Sequence, residues 1–462
     1  MKPYPKYKSS GVPWLGDVPE HWCVEKLKHK VRFVGGGTPS KEQDEYWRGS
    51  IPWVSPKDMK SWRIKQTEDC ISEKALAESA CALIDKGAVL IVVRSGILQH
   101  SIPVALNDIP VAVNQDMKAL LPIGEVSPAF IAYYIAGNQK ALLDEWVKHG
   151  STVESIEFER MAGTPLVVPA PSEQQAIATY LDTETARIDT LVSEKENLID
   201  LLREYRQSVI TEAVTKGMNP DAPMKESSVP WLGDFPAHWQ VLSLRRALEG
   251  LAVNGVFKKG EDFGEGAPLV NVTDLFQENF VVDTEKLERV RCDESETQKY
   301  RVNEGDLFLV RSSLKLEGIA RFAIVQAIKE ETVFECHVVR MRPDAQKSVP
   351  MFLAYYLNST FARQSLVSRA KTTTMTTIDQ SEALATPLLL PPPSEQTAIA
   401  AYLDTQTVKI DGLISHVEKE IELLKELRSA TITDAVLGRI DLRGHLKKGK
   451  QGDKASELQP AL

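Results

Sequence analysis

Two stretches of this chain are nearly the same. VPWLGDVPEHW occupies residues 12–22 and VPWLGDFPAHW residues 229–239, identical at nine of eleven positions and 217 apart. Such a repeat constrains the fold before any other feature, because a duplicated segment implies one architecture used twice. The echoes continue along both halves. IPWVSPKDM (51–59) has a weaker counterpart in APLVNVTDL (267–275), and VLIVVRSG (89–96) is answered by DLFLVRSS (306–313). FIAYYI (130–135) returns as FLAYYL (352–357), and TPLVVPAPSEQQAIATYLD (164–182) as TPLLLPPPSEQTAIAAYLD (386–404), both now at an offset of 222.

The two ends of each half match closely, while the stretch between them matches only at scattered landmarks. A shared scaffold therefore carries two different payloads. Within each half, the apolar runs 88–93 and 306–310 predict buried strands, and 128–136 predicts a short helix; together they suggest a mixed sheet with short helices.

Each half then ends in a helix signal. Pro171-Ser172-Glu173 and Pro393-Ser394-Glu395 place a serine N-cap after proline with acid in the first turn. The helices should run to about Lys216 and Leu437. Alternating steps of four and three from Ile177 to Val209 meet eight apolar residues in ten, and the matching walk from Ile399 to Thr431 meets seven. That is a coiled-coil seam. The expected pairing residues are Ile177, Leu181, Ile188, Leu191, Leu198 and Leu202 on the first helix, and Ile399, Leu403, Ile410, Leu413, Leu424 and Leu427 on the second. At about 45 residues, each helix would span roughly 65 Å and needs a partner, for which the other copy is the obvious candidate. Glu184 and Gln406 share one seam position, where a buried polar residue can set register; an exposed exception to the heptad is the alternative.

Composition narrows the function. Five cysteines with no C-x-x-C pair suggest neither a disulfide framework nor a zinc ribbon, and point to a reducing, cytoplasmic setting. No apolar window is long enough for a membrane span, and the N-terminus lacks the apolar core of a signal peptide. The net charge of −9 argues against a wholly basic surface but leaves room for a focused cationic groove. No phosphate-loop, zinc-protease, nucleophile-elbow or dinucleotide motif occurs, nor an Asn-Pro-Pro-aromatic signature. No catalytic or metal residue is assigned. Cys336-His337 lacks a second ligand pair and is read as a structural contact. His21 and His238, the same in both copies, suit packing or capping.

The remaining candidates are polar. Gly35-Gly36-Gly37-Thr38-Pro39-Ser40 could cradle a phosphate on successive backbone N–H groups, with a plain turn as the alternative. In the divergent middles, Lys57, Lys60, Arg63, Arg94, Gln115, Lys148 and His149 of the first half, and Lys258, Lys259, Asn271, Arg311, Lys315, Arg369 and Lys371 of the second, suit nucleic acid. Arg and Gln can read guanine and adenine edges, whereas Lys, Ser and Thr commonly hold phosphates. The last rule adds Ser95, Ser151, Thr152, Thr273, Ser312 and Thr373.

The repeated opening phrase, the G-G-T-P-S loop, IPWVSPKDM, VNQD (113–116) and the twice-used P-L-x-x-P-x-P-S-E-Q-x-A-I-x-x-Y-L-D together resemble the DNA-specificity subunits of type I restriction-modification systems, over residues 9 to about 444. The resemblance implies an α+β chain of two similar mixed α/β target recognition domains, separated by two long antiparallel helices that form a coiled coil, with an internal pseudo-two-fold repeat. The corresponding boundaries are 1–170, 171–217, 218–392 and 393–440, followed by a polar tail (441–462) read as disordered. Each recognition domain would read one half of a bipartite, asymmetric site in double-stranded DNA. The helices would measure the spacer and dock two methyltransferase subunits, to which motor-nuclease (restriction) subunits are added. The chain itself would be non-catalytic and bind no cofactor; S-adenosylmethionine, ATP and Mg²⁺ would belong to its partners. The competing possibility is a duplicated protein-binding adaptor that never touches DNA. Two departures, APLVNVTDL for IPWVSPKDM and FECHV for VNQDM, leave open which second-half residues meet DNA.

Overall fold

The computed structural model describes residues 2–148, 153–227, 229, 232–372 and 375–445. His149, Ser151, Thr152 and Thr373, together with Pro230 and Trp231 of the second opening phrase and the tail from residue 446, lie outside them. The chain divides into two compact units, residues 1–194 with 420–462, and residues 195–419. This division differs from the boundaries expected from sequence. Both long helices are cut in half, so each unit owns one α/β domain, the start of one helix and the end of the other.

In the first unit a five-stranded sheet has the order Val31–Gly35, Met117–Pro122, Val89–Val92, Val104–Asn107, Arg63–Ile64, antiparallel except for its last pair. A smaller sheet joins Ala112–Val113, Ile51–Val54 and Asp69–Ile71. The second unit has a four-stranded sheet, ordered Leu248–Asn254, Val338–Pro343, Leu307–Val310, Phe322–Ile324. Beside it lies a three-stranded one of Glu288–Val290, Phe263–Val270 and Val333–Phe334. The unbroken apolar runs are explained by cover on both faces: Val89 and Ile91 enter one core cluster, Leu90 and Val92 another. Leu307 and Leu309 are divided from Phe308 and Val310 in the same way.

The long helices are Pro171–Lys216 and Pro393–Val436. Proline takes the first helical position, where its fixed φ suits the helix and its missing N–H costs nothing. Ser172 and Ser394 therefore sit inside the first turn and are not the N-caps expected from sequence. The helices run antiparallel in each unit. In the first, the core around Ile177 and Leu181 also holds Ile432, Val436 and Leu437, and Arg428 Nε donates to Asp189 at 2.7 Å. In the second, Arg206 Nε donates to Asp411 at 2.8 Å, and Arg203 faces Glu418 at 3.9 Å. The two close pairs are one pair used twice, since residues 189 and 206 match 411 and 428 at the 222 offset.

The seam itself requires correction. Leu198, Leu413 and Leu427 are 41%, 54% and 48% exposed, while Ile199, Ile210, Ile421 and Ile432, each one residue past a step of the walk, are buried. A strict step of 3.5 residues drifts by about 20° per heptad from an α-helix of 3.6. The buried line accordingly moves on by one residue along each helix. Glu184 and Gln406 are half-buried, and the buried polar residues beside them are Thr185 and Thr407, each hydroxyl bonded to the carbonyl four residues back.

Candidate nucleic-acid interface

Identical residues turn out to do identical structural work. His21 Nε2 meets Glu173 at 3.0 Å, and His238 Nε2 meets Glu395 at 2.8 Å, so the opening phrase grips the first turn of one long helix. Trp22 and Trp239 are buried beside it. Gly438 and Gly217, at φ 68° and 75°, follow the ends of the second and first helices. A Cβ on Gly438 would strike the Pro19 and Trp22 rings, and one on Gly217 would crowd Trp239 and Glu395. The phrase is thus a socket that receives the start of one helix and the end of the other.

The remaining repeats tie each short helix to the scaffold. Tyr133 Oη donates to Asp182 at 2.7 Å, and Tyr355 Oη to Asp404 at 2.8 Å; burial raises both phenols. Gln174 Oε1 accepts from the Ser127 N–H, and Gln396 Oε1 from the Val349 N–H, both at 2.8 Å.

The divergent segments gather elsewhere. In the first unit, the loop after Val31–Gly35, the turn after Ile51–Val54 and residues 114–116 line a cleft of about 710 Å³ that includes Thr38, Lys57 and Gln115. The Thr38 hydroxyl donates to Gln115 Oε1. The Gln115 amide NH₂ is then left to offer two donors to an acceptor edge. Trp53 and Trp47 meet edge to face at 5.0 Å beneath it, with Trp53 Nε1 on the Gly37 carbonyl at 3.0 Å. Ser55 is buried and bonded to Asp58 in a capping box.

The glycine loop is not a phosphate cradle. The Gly37 N–H donates to Val113 O at 2.9 Å, and a Cβ on Gly36 would strike the Val113 and Asn114 carbonyls. Gly36 and Gly37 are there so that two backbones can touch, which is the plain-turn alternative. Ser40 is exposed and accepts from Glu42 N. Lys57 sits between Glu68 (3.2 Å) and Asp69 (3.1 Å), and the Asp69 hydrogen bond holds its ammonium above the usual lysine range. Lys60 and Arg94 are exposed. Ser95 caps the turn that begins at Gly96. The cleft thus favours donors to base edges over a cationic grip, with Asp44, Asp69 and Asp116 also on its lining.

In the second unit the same positions hold other chemistry. Arg311 Nη1 donates to Asn254 Oδ1 at 3.2 Å, and its Nε has no partner among the described residues. Glu335, Cys336 and His337 stand where Asn114, Gln115 and Asp116 stand in the first. Their ligand atoms lie within 4.8 Å of one another, though the nearby Arg311 guanidinium opposes a cation there. Burial raises the Cys336 thiol. Ser313, Lys315, Arg321 and His337 share a cleft of about 580 Å³ with the exposed Leu314.

Several second-half candidates are structural. Ser312 is buried in a strand paired with Thr376–Thr377, which takes its hydroxyl from any open contact. The Lys258 side chain is only 12% exposed and bonded to Glu296 at 2.6 Å, so its charge is spent inside the fold. Asn271 caps the turn Val272–Leu275, the role of Ser55. Thr273 is exposed; Lys371 is exposed but bonded to Asp379 at 2.6 Å. Sequence reading missed Asn254-Gly255. Gly255 repeats Gly36, with the Val256 N–H on Phe334 O at 2.8 Å and no room for a Cβ. Its signal was the Asn-Gly dipeptide, hidden because the local offset is 219.

Comparison with known proteins agrees with this geometry. The model of the type I restriction modification DNA specificity domain matches residues 19–200. A specificity subunit of an Escherichia coli type I restriction enzyme is 39% identical over 163 residues, 35% of this chain and 39% of that one. The MjaIX specificity subunit of Methanocaldococcus jannaschii is 24% identical over 435 residues, covering 92% of this chain and 95% of its own. Among solved structures, a chain from work on assembly and conformational transition of the type I R-M system superposes with a TM-score of 0.69 at 14% identity, covering 92% of this chain and 99% of that one. The HsdS subunit from Thermoanaerobacter tengcongensis gives 0.50 at 14% identity, covering 92% of this chain and 98% of its own. Residues 19–200 thus carry a type I restriction modification DNA specificity domain, and over most of its length the chain, with its duplicated sockets and paired long helices, is similar to the specificity subunits of type I restriction enzymes.

Proposed function

We propose that this chain is the sequence-reading subunit of a type I restriction-modification complex. Each unit contacts one half of a bipartite DNA site, the first through Gln115 and its cleft, the second through Arg311 and the segment around His337. The long helices set the distance between the half-sites, about one helical turn of ~10 bp if both units meet the same groove face. They also carry two methyltransferase subunits, which supply S-adenosylmethionine, and motor-nuclease subunits that use ATP and Mg²⁺. The chain contributes recognition, not catalysis. The observation that carries this reading is the division of labour between positions: the repeated phrases and helix starts are consumed in sockets and helix contacts, while the clefts differ at Gln115/Cys336 and Asp116/His337 and keep one arginine in common, Arg94/Arg311.

The test is the salt dependence of DNA binding by the assembled complex. Affinity should fall steeply as salt rises, because several phosphates are neutralised and their counterions released. A complex that assembles normally yet shows no salt-sensitive DNA affinity would favour the adaptor reading.

A further inference from the structure

Within the second unit, the first long helix, the segment around Phe280 and the helix Thr360–Val367 enclose a cavity of about 670 Å³. Arg203, Arg206, Arg321 and Arg363 line it, together with the carboxylate of Glu278. Arg206 is held by Asp411 and the Glu278 carbonyl, with its guanidinium over the Phe280 ring at 5.6 Å. Arg321 is different. Its guanidinium lies over Phe276 at 5.9 Å but makes no hydrogen bond or ion pair among the described residues, and its Nε is shut off from solvent. A buried donor left unmet costs stability unless something outside the protein satisfies it. The repeated scaffold does not require Arg363, since the 222 offset sets Ala141 opposite it.

We propose that this cavity binds a phosphoryl anion. Planar guanidinium forks match phosphate oxygens two at a time; Arg203 and Arg206 already face Glu418 and Asp411, which leaves Arg321 to present its guanidinium without an ion pair among the described residues. The volume falls in the range of small-ligand sites, about 300–1,000 Å³. The phosphate can come from a free nucleotide or pyrophosphate, or from the DNA backbone; only the second source rests on the proposed function.

Two arms separate them. Pyrophosphate is titrated calorimetrically into the full chain, and the salt slope of DNA binding is measured for the assembled complex, each with Arg321→Gln and the charge-retaining Arg321→Lys. For a free anion, Arg321→Gln weakens pyrophosphate binding at least about tenfold, Arg321→Lys falls between, and the salt slope stays put. For a backbone phosphate, pyrophosphate does not bind and Arg321→Gln lowers the slope by about 0.9. Arg203→Gln, on an exposed side chain, repeats both arms should Arg321→Gln fail to fold. The proposal is overturned if neither substitution changes either quantity. A complex that binds no DNA at all would count against the DNA reading alone and leave the pyrophosphate arm to decide this one.

Discussion

The sockets around Trp22 and Trp239 are built from the same parts in the same places, whereas the clefts around Gln115 and Arg311 share a backbone and little else. In the sockets, histidine meets glutamate and tryptophan meets the glycine after a helix, and within the phrase only Val18/Phe235 and Glu20/Ala237 vary. In the clefts, one backbone path presents the Gln115 amide, held by Thr38, in the first unit and Cys336 with His337 in the second, where the arginine shared with Arg94 is steadied by Asn254. A duplicated chain can diverge in what it touches only where the scaffold does not need the side chain.

Breaking a socket should have the largest effect. Trp22→Ala and Trp239→Ala each remove a buried indole and should cost about 3–5 kcal/mol in denaturant unfolding; a large loss from one and none from the other would end the equivalence of the sockets. Next comes the repeated helix pair. Arg206 is 7% exposed and Arg428 31%. Asp411→Ala should therefore cost about 3 kcal/mol by stranding a buried charge, and Asp189→Ala less than about 1 kcal/mol. Equal losses would show that the two environments match more closely than their exposures imply.

The cleft predictions are smaller and concern recognition. Gln115→Ala should relax discrimination at one base of the first half-site by about 1–3 kcal/mol, seen in competition binding, while leaving the other half-site alone. Smallest is the contrast between two lysines. Lys57→Ala removes a charge already balanced by Glu68 and Asp69 and should leave the salt slope of DNA binding nearly unchanged. Lys60→Ala should lower it by about 0.9 if Lys60 meets a phosphate; the opposite order would make Lys57 the contact.

Much of the scaffold was legible because its signals are local and repeated. The apolar runs that became Val89–Val92 and Leu307–Val310, the P-S-E-Q helix starts and the length of the long helices all follow from periodicity. The seam was only half legible: a strict heptad walk finds Ile177, Leu181, Ile188, Ile399, Leu403 and Ile410 but loses the buried line near Leu198 and Leu413, where drift has accumulated. The clefts were least legible. Whether a lysine is free depends on an acid brought from elsewhere in the chain, as with Lys258 and Glu296 of the helix Glu294–Lys299, 38 positions apart. Gly36 and Gly37 looked like anion ligands because a glycine spared a Cβ for a phosphate and one spared it for a neighbouring carbonyl read the same in one dimension.

The most direct measurement is a map of the bases methylated in DNA by the assembled complex carrying His337→Ala, at a position where the first half has Asp116. If the identical residues hold and the differing ones read, the motif should lose definition in the half-site read by the second unit, keep the first half-site and the spacer, and leave assembly intact. An unchanged motif at an unchanged rate, or a loss of definition spread over both halves, would contradict that account.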